Sequence, residues 1–450
     1  MDFISLWIGM YNIIKNNLKE KIKSIIKKWS VKMCQKELIV ERSTLKGKLK
    51  LSGAKNSALR LQAASILTDE ELILSNFPNG LSDVRIHNEM LEGLGKRVDA
   101  DGDNLIINGA INSSELIWNK RSIRNTLLIW GALLTRKGYS KVPLPGGCKI
   151  GERKYDLHQM VLESLGAKVW IEGDYLCAES NGRLKGADIY LPLRSTGATE
   201  NAILSSSLAS GKTTIWNPHI RPEILDLIDM LNKMGAKIEV RGNESIVVHG
   251  VEKLHTATHK VIPDNMEALT FLIAAAITDG DIEILDFPSN HLEIPLIFLK
   301  SSGLNIYEGQ RSVIIKGSIT YPLEISTGPY PGINSDMQPL LAVYASQAQG
   351  MSKIVDLRFP DRFGYAEQLK KMGVDTSVEN NLLVIKGGNS LTGADVFADD
   401  LRAGAALLLA GLVSEGITRI SNSEQIERGY ENFIEKFRSL GAKIKWSNES

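Results

Sequence analysis

The sequence has little cysteine and almost no net charge. Its 450 residues include three cysteines, Cys34, Cys148 and Cys177, none of them in a CxxC pair. The sequence therefore predicts neither a disulfide framework nor a structural metal site, and favours a reducing compartment. Lys and Arg number 53 against 52 Asp and Glu, which argues against a nucleic-acid coat as the main role. Any anion site must therefore be a local cluster of basic residues.

The chain also lacks an apolar run long enough to span a bilayer. Apolar residues recur at helical spacing from Phe3 to Trp29, and seven lysines lie from Lys15 to Lys32, so residues 1–32 are predicted to form a basic amphipathic helix. Its apolar opening is too short for a transmembrane helix, and its lysines follow that opening, whereas a signal peptide has them first. Three interpretations stay open: a peripheral membrane contact, a helix packed on the fold or on a partner, and a translated leader ahead of a start at Met33.

What the sequence does have is a sixfold internal repeat. Six times an amphipathic helix ends at a glycine that precedes a strand-like stretch, and helices rich in Ala and Ser lie between these points. Each unit is predicted to contain strand, helix, strand, helix and a two-stranded hairpin. The glycines, spaced 68 to 71 residues apart, are Gly95, Gly166, Gly235, Gly303, Gly373 and Gly441.

Six such units predict an α/β protein of two pseudo-threefold domains, because 450 residues exceed what one core usually supports. We place residues 55–263 in an inserted domain of three repeats that carries the Cys148 loop. Residues 33–54 plus 264–450 form a discontinuous domain of three repeats, and 1–32 remain outside both. The two chain crossings predict a hinge, and the ligand site is expected in the cleft between the domains.

Several polar segments are not explained by the repeat. LSGAKNSALRL presents Lys55 and Asn56 at the domain boundary, and RSIRNTLLIW places Arg124 at the start of an apolar helix. PYPGINSDMQP presents Asp336 at the predicted start of a helix, where a carboxylate is either a cap or a base. Each of these has an ordinary structural explanation when it is taken alone.

The loop in KVPLPGGCKIGERKYDLH is more specific. Its prolines and glycines make residues 143–151 a glycine-hinged loop, with Cys148 beside Lys149 and Arg153. Neighbouring cations make a thiol more reactive, whereas Cys177 fits the usual buried cysteine. The last third adds polar residues at predicted loop-to-helix junctions, which suggest convergence on a polyanion; they are Arg362, Asp400, Arg402 and Arg428.

Together these motifs resemble the UDP-N-acetylglucosamine 1-carboxyvinyltransferase family. SGAKN, PLPGGCxIGxR with the following DLH, SDMQ, DLRA and RGYE stand in the family's order and at nearly its spacing, from about Leu38 to Lys445. The resemblance implies the α/β enolpyruvyl-transferase fold, two domains of three units with the active site between them. It also implies a cytoplasmic enzyme of peptidoglycan synthesis without metal, cofactor or nucleic-acid partner. Such an enzyme moves the enolpyruvyl group of phosphoenolpyruvate to the 3-hydroxyl of UDP-N-acetylglucosamine and releases phosphate.

The resemblance further implies a role for individual residues. Cys148 would protonate the alkene carbon and Asp336 would deprotonate the sugar hydroxyl, with Lys55 and Arg428 also catalytic. Phosphoenolpyruvate would be bound by Lys55, Asn56, Arg153, Arg362, Arg402 and Arg428. UDP-N-acetylglucosamine would be bound by Arg124, Arg153, Lys154, Tyr155, Asp156, Leu157, Leu193, Arg194, Ser195, Thr196, Asp336 and Arg358.

Three positions depart from the family's pattern and bear on the acceptor. Leu128 stands where Trp is expected, Arg221 where Glu is common and Tyr330 where His is common. Pocket changes of this kind alter selectivity more easily than chemistry. The alternatives are a secondary-metabolism enolpyruvyl transferase acting on another nucleotide, a shikimate-type transferase, which leaves Cys148 without a task, and a catalytically silent nucleotide-sugar binder.

Overall fold

The computed structural model describes residues 37–146, 154–317 and 320–449. The helix predicted for residues 1–32 lies outside the described residues, as do Cys148 and Arg153. In the three described segments no helix is both long and apolar enough to cross a membrane.

Six β-sheets contain the strands of the described segments, and five of them combine a parallel strand pair with an antiparallel pair. In the remaining sheet the parallel partner is reduced to a single bridge between Glu115 and Lys141. Three sheets come from residues 72–260. In spatial order they are β13 (Ala257–Lys260), β3 (Leu72–Ser75), β5 (Asn104–Asn108) and β4 (Arg97–Asp101); β6 (Tyr139–Pro143), β8 (Tyr175–Glu179) and β7 (Lys168–Glu172); and β11 (Lys237–Arg241), β12 (Ser245–His249), β10 (Lys212–Trp216) and β9 (Asp188–Tyr190).

The other three sheets join the N-terminal strands to the last part of the chain. Val40 of the first strand lies opposite Thr418 on one side and Ile444 on the other, so this strand completes the final sheet. In spatial order the sheets are β15 (Asn305–Glu308), β16 (Ser312–Lys316), β14 (Asp281–Leu285) and β2 (Lys46–Lys50); β17 (Glu324–Ser326), β18 (Met351–Val355), β20 (Leu382–Lys386) and β19 (Asp375–Glu379); and β21 (Asp395–Phe397), β22 (Ile417–Ser421), β1 (Leu38–Glu41) and β23 (Ile444–Trp446).

The helices of the described segments are of two kinds. Inner helices, rich in small residues, are buried on nearly all sides; Gly131 is required in one of them because a Cβ there would lie 1.8 Å from Oδ1 of Asn201. The inner helices are α1 (Lys55–Ala64), α3 (Thr126–Lys137), α5 (Thr196–Ser207), α7 (Asn265–Ile277), α9 (Gln338–Gln347) and α11 (Leu401–Val413). The outer, one-sided helices are α2 (Ser82–Gly93), α4 (Asp156–Ser164), α6 (Pro222–Lys233), α8 (Glu293–Ser301), α10 (Gly364–Lys371) and α12 (Phe433–Ser439), and short 3₁₀ helices span Ser65–Leu67, Ser289–His291 and Ser423–Arg428.

The order of elements within a unit confirms the repeat predicted from the sequence. One complete unit is β9, α5, β10, α6, β11 and β12. The six repeat glycines follow the outer helices with φ between +88° and +107°, a backbone conformation that favours glycine. The α/β fold class is therefore confirmed.

The buried apolar residues form two separate clusters, one drawn from residues 58–261 and the other from residues 38–51 and 266–444. The chain passes between them at two adjacent points, where Ala54 N–H donates to Ile262 O (2.7 Å) and Asp264 N–H donates to Ser52 O (2.9 Å). We therefore propose domains of 55–263 and of 33–54 plus 264–450, with the hinge at these paired crossings.

Candidate active site

A cleft of about 950 Å³ lies between the two apolar clusters and is lined by residues from both. Tyr155 does not line it and packs against the 58–261 cluster instead. Cys148 and Arg153 are outside the described residues. The structure brings together the other residues predicted from the sequence, namely Lys55, Asn56, Arg124, Lys154, Asp156, Leu157, Leu193, Arg194, Ser195, Thr196, Asp336, Arg358, Arg362, Arg402 and Arg428.

Lys55 begins α1 at the hinge, and Asp264 fixes its position. The Asp264 carboxylate caps α7 by accepting the N–H groups of Met266 (2.8 Å) and Glu267 (3.0 Å), and its second oxygen accepts the N–H of Lys55 (3.1 Å). One side chain thus holds the first turn of a helix from each proposed domain. The catalytic candidate Lys55 is therefore placed by the chain crossing itself.

Asp83, which the sequence analysis missed, joins cations from the two proposed domains. Its carboxylate lies 2.7 Å from Lys55 Nζ, 2.8 Å from Arg121 Nη2 and 3.4 Å from Arg428 Nε. Burial opposes its ionisation, but the charges of Lys55 and Arg428 outweigh burial and lower the pKa of Asp83. In the sequence it looks like an ordinary acidic residue in the first turn of a helix, so no local signal distinguished it.

Asp336 precedes α9 and lies among arginines. Arg362 Nη1 donates to one of its oxygens, and Arg402 Nε lies 3.9 Å from the other. Burial opposes ionisation of Asp336, yet the two guanidinium groups hold its pKa well below the usual range. The Asp336 carboxylate is therefore ionised at neutral pH.

The two arginines beside Asp336 retain unused donors. Asp400 caps α11 by accepting the N–H groups of Arg402 (2.7 Å) and Ala403 (2.8 Å), and Arg362 Nη2 lies 3.4 Å from it. The Arg402 guanidinium sits 4.9 Å from the centre of the Tyr430 ring. Among the described residues, buried Arg362 Nε and Arg402 Nε and Nη1 have no hydrogen-bond partner. Buried donors without acceptors are costly, so we expect an anion to bind here. We call the part of the cleft lined by Asp336, Arg362 and Arg402 the anion corner.

The opposite wall contains the N-terminal end of α5. Ser195 caps this helix by accepting the N–H of Ala198 (3.4 Å), and Thr196 begins it. Arg124 Nη2 donates to the carbonyl of Lys154 (2.7 Å), and Arg194 Nε donates to Oδ1 of Asn217 (3.2 Å). A helix N-terminus beside basic residues suits phosphate groups. This wall is therefore the candidate nucleotide-sugar site.

Two further ion pairs on this wall were not predicted. Arg60 is paired with buried Glu200, and Arg221 contacts Glu223 through two hydrogen bonds of 2.6 and 2.7 Å. Arg221, one of the departures from the family's pattern, is thus balanced by its own neighbour. Leu128 also lines the cleft.

Comparison with known proteins shows to which class of protein this fold belongs. The family model for EPSP synthase (3-phosphoshikimate 1-carboxyvinyltransferase) matches residues 39–437. The structure of the enolpyruvyl transferase NikO from Streptomyces tendae has a TM-score of 0.84 at 25% identity, covering 92% of this chain and all of that one. EPSP synthase from Acinetobacter baumannii shares the fold, with a TM-score of 0.72 at 19% identity and the same coverage of both chains. The fold is thus that of the enolpyruvyl transferases.

Sequence relatives narrow the class further. UDP-N-acetylglucosamine 1-carboxyvinyltransferase 1 of Carboxydothermus hydrogenoformans is 44% identical over 418 residues, 92% of this chain and 99% of the relative. The UDP-N-acetylglucosamine 1-carboxyvinyltransferase of Prochlorococcus marinus is 42% identical, covering 90% of both chains. The chain belongs to the UDP-N-acetylglucosamine 1-carboxyvinyltransferase family, which confirms the resemblance drawn from its motifs.

Proposed function

We propose that this protein transfers the enolpyruvyl group of phosphoenolpyruvate to the 3-hydroxyl of UDP-N-acetylglucosamine in the cytoplasm, the first committed step of peptidoglycan synthesis. The observation that carries the proposal is the anion corner, where buried Arg362 and Arg402 hold unused donors beside the ionised carboxylate of Asp336. A small substrate with a phosphate and a carboxylate needs several fixed cations, and the acceptor needs a base nearby.

Phosphoenolpyruvate occupies the anion corner in this proposal. Lys55 and Arg428 reach it from different domains and are already held together by Asp83. Its negative charges use the free donors of Arg362 and Arg402, and offset the field that keeps Asp336 a weak base. The remaining contacts are assigned to Asn56 and Arg153.

The acceptor lies along the opposite wall. Its diphosphate is placed at the N-terminal end of α5 and beside Arg124 and Lys154, which border the cleft together. Arg358 is assigned to the sugar, and its main-chain N–H is held by Asp356 Oδ1 (2.9 Å). The sugar hydroxyl then approaches Asp336 from the side opposite the anion corner.

The reaction proceeds by addition and then elimination. In the addition, Asp336 takes the hydroxyl proton, the sugar oxygen bonds to the central carbon of phosphoenolpyruvate, and Cys148 gives a proton to the methylene carbon. In the elimination, the methyl group formed in the addition returns a proton to the Cys148 thiolate and the carbon–carbon double bond re-forms. The carbon–oxygen bond to phosphate breaks, and phosphate leaves with the proton that Asp336 had taken. Closure of the cleft excludes water from the adduct.

A second candidate is an enolpyruvyl transferase that acts on another nucleotide. The observation in its favour is that Leu128 and Arg221, two departures from the family's pattern, both line the cleft. The chemistry is unchanged in this candidate, and only the acceptor differs.

Phosphate release from phosphoenolpyruvate, followed by the mass of the product, tests these candidates. We expect release with UDP-N-acetylglucosamine and a product that has gained one enolpyruvyl group. Release with a different nucleotide only would favour the second candidate, and release with shikimate 3-phosphate would favour the shikimate-type reaction. No release with any acceptor, despite binding of UDP-N-acetylglucosamine, would identify a silent binder.

A further inference from the structure

A hydrogen bond to His219 joins the loop that leads to Asp336 to the other proposed domain. The main-chain N–H of Tyr330 donates to Nε2 of His219 over 3.0 Å. Tyr330 lies in the loop between β17 and α9, which also contributes Gly328 and Pro329 to the cleft. His219 lies between β10 and α6, so this hydrogen bond spans the two proposed domains.

His219 is fixed to α5 from two directions. Its main-chain N–H donates to the hydroxyl of Thr199 (3.0 Å), and its Nδ1 lies 2.8 Å from the hydroxyl of Thr196. The side chain is buried. With Nδ1 engaged on α5, Nε2 is the ring atom that reaches the Tyr330 loop.

The hydrogen bonds define the protonation state of the ring. A main-chain N–H can only donate, so Nε2 is unprotonated and the proton of the neutral ring is on Nδ1, facing Thr196. Burial lowers the pKa of His219 to about 4. The positive charges of Arg221, Arg194 and Arg358 also lower this pKa, whereas the negative charge of Glu223 raises it. The ring is therefore a neutral acceptor at pH 7.

The loop transmits this contact to Asp336. Gly328 N–H donates to Ile333 O (2.8 Å) and Gly332 N–H donates to Pro329 O (2.9 Å), so the loop is closed on itself. Asn334 Oδ1 then accepts the N–H of Asp336 (3.0 Å). Tyr330 and Asp336 thus lie six residues apart in one short loop, and we expect a displacement at Tyr330 to alter the position of the residue proposed to be the base.

We propose that His219 is a positioning residue that ties the acceptor-binding end of α5, at Thr196, to the loop that carries Asp336. In this way the hydrogen bond fixes the position of the proposed base, Asp336, relative to an acceptor bound at Thr196. The proposal rests on the proposed function for the roles of Thr196 and Asp336, and adds a residue to which the sequence analysis gave no role. On the loop, the hydrogen bond is made by the main-chain N–H of Tyr330, whose side chain is a departure from the family's pattern.

Two substitutions distinguish the role of Nδ1 from that of Nε2 in the His219 ring. His219→Asn can keep a polar partner for Thr196 but is too short to reach Tyr330, whereas His219→Gln can place an acceptor near the position of Nε2. We expect kcat to fall at least about tenfold in His219→Asn, with the KM for phosphoenolpyruvate changed less than about twofold, because a small misplacement of the base costs turnover. His219→Gln should retain kcat within about threefold. Melting temperatures of both variants serve as the control for folding.

Hydrogen exchange supplies a readout that does not depend on turnover. In a peptide of residues 328–334, Pro329 and Pro331 have no amide, so Tyr330 contributes one of few exchangeable sites. We expect this amide to be protected in the parent and in His219→Gln, and to exchange at least about tenfold faster in His219→Asn. UDP-N-acetylglucosamine should slow the exchange further in the parent but not in His219→Asn.

The outcomes are separable from those of the proposed function. Unchanged exchange and unchanged kcat in His219→Asn would overturn the proposal, as would equal losses of kcat in the two variants. A parent without turnover on UDP-N-acetylglucosamine would refute the acceptor, and exchange would then decide alone whether His219 holds the loop.

Discussion

Two arginine clusters line the same cleft and differ in what their donors do. On the 55–263 side, Arg221 gives two hydrogen bonds to Glu223, and Arg60 is paired with Glu200. On the other side, Arg362 and Arg402 share Asp336 yet keep buried nitrogens that no described residue accepts. We call the first cluster complete because each of its arginines is paired with its own carboxylate, and the second incomplete because it keeps buried donors without an acceptor. Among the described residues that line the cleft, Arg362 and Arg402 are the two with buried side-chain donors that lack a partner, and we place the anion there for this reason.

The largest effect is expected at Cys148, because neither cluster supplies the proton for carbon. A thiol or a carboxylic acid is acidic enough to deliver that proton at neutral pH, whereas a serine hydroxyl is not. Cys148→Ser should therefore abolish phosphate release, and Cys148→Asp should keep a substantial part of it in the same assay. The epoxide fosfomycin resembles phosphoenolpyruvate in charge and alkylates thiolates, so Cys148→Asp should also resist it. Full activity in Cys148→Ser, or labelling at Cys34 or Cys177, would remove Cys148 from the mechanism.

The next largest effect distinguishes the two clusters directly. Arg402→Gln should lower kcat/KM for phosphoenolpyruvate by about 10²- to 10³-fold, because it removes donors aimed at the substrate anion. The matched substitution in the complete cluster, Arg221→Gln, should lower kcat/KM far less. Steady-state kinetics of the pair measures the contrast, and equal losses would show that both clusters bind phosphoenolpyruvate.

Stability should show the reverse order. Arg221→Gln leaves Glu223 buried without its partner and should cost about 3 kcal/mol in the free energy of unfolding. Urea denaturation of Arg221→Gln and of the double variant Arg221→Leu/Glu223→Leu measures this, and the double variant should recover most of the loss. If the double variant is as unstable as the single one, the pair is not the reason for the loss.

His219 resembles the arginines of the complete cluster, because both nitrogens of its neutral ring have hydrogen-bond partners. Its pKa is lowered from 6.5 to about 4 in the folded state, so below pH 6.5 the unfolded chain binds the proton first and stability falls. The loss between pH 7 and pH 4 should be up to about 3 kcal/mol for this group. His219→Gln should show a shallower decline over that range by urea denaturation. Parallel pH profiles for parent and variant would contradict the assignment.

The smallest effect is expected from removal of residues 1–32, which precede the six repeated units in the sequence. If they are a leader or a membrane contact, phosphate release and the melting temperature should stay nearly unchanged. A large drop in melting temperature would instead select the interpretation in which this helix packs on the fold.

Local patterns were sufficient for much of the fold. The repeat glycines were found from the sequence because a helix end with positive φ demands glycine, wherever it lies in the fold. Lys55, Asp336 and Arg402 were found because the polar segments that contain them match motifs of the family, and the structure places all three at or just before the start of a helix. Asp83 and His219 have no such signal, because their partners are up to 345 residues away in the chain.

The sequence by itself determined the elements, their sixfold order and the family, since all three depend on periodicity, caps and motifs that are local in the chain. The tertiary structure alone decided which arginines have a partner for their donors and which do not. Arg221 and Arg402 both stand at the start of a helix near an acidic residue, yet Arg221 is balanced by Glu223 while Arg402 keeps two unused nitrogens. That difference depends on burial and on distances between remote residues. Desolvation and hydrogen-bond geometry are set only when the two halves of the chain meet.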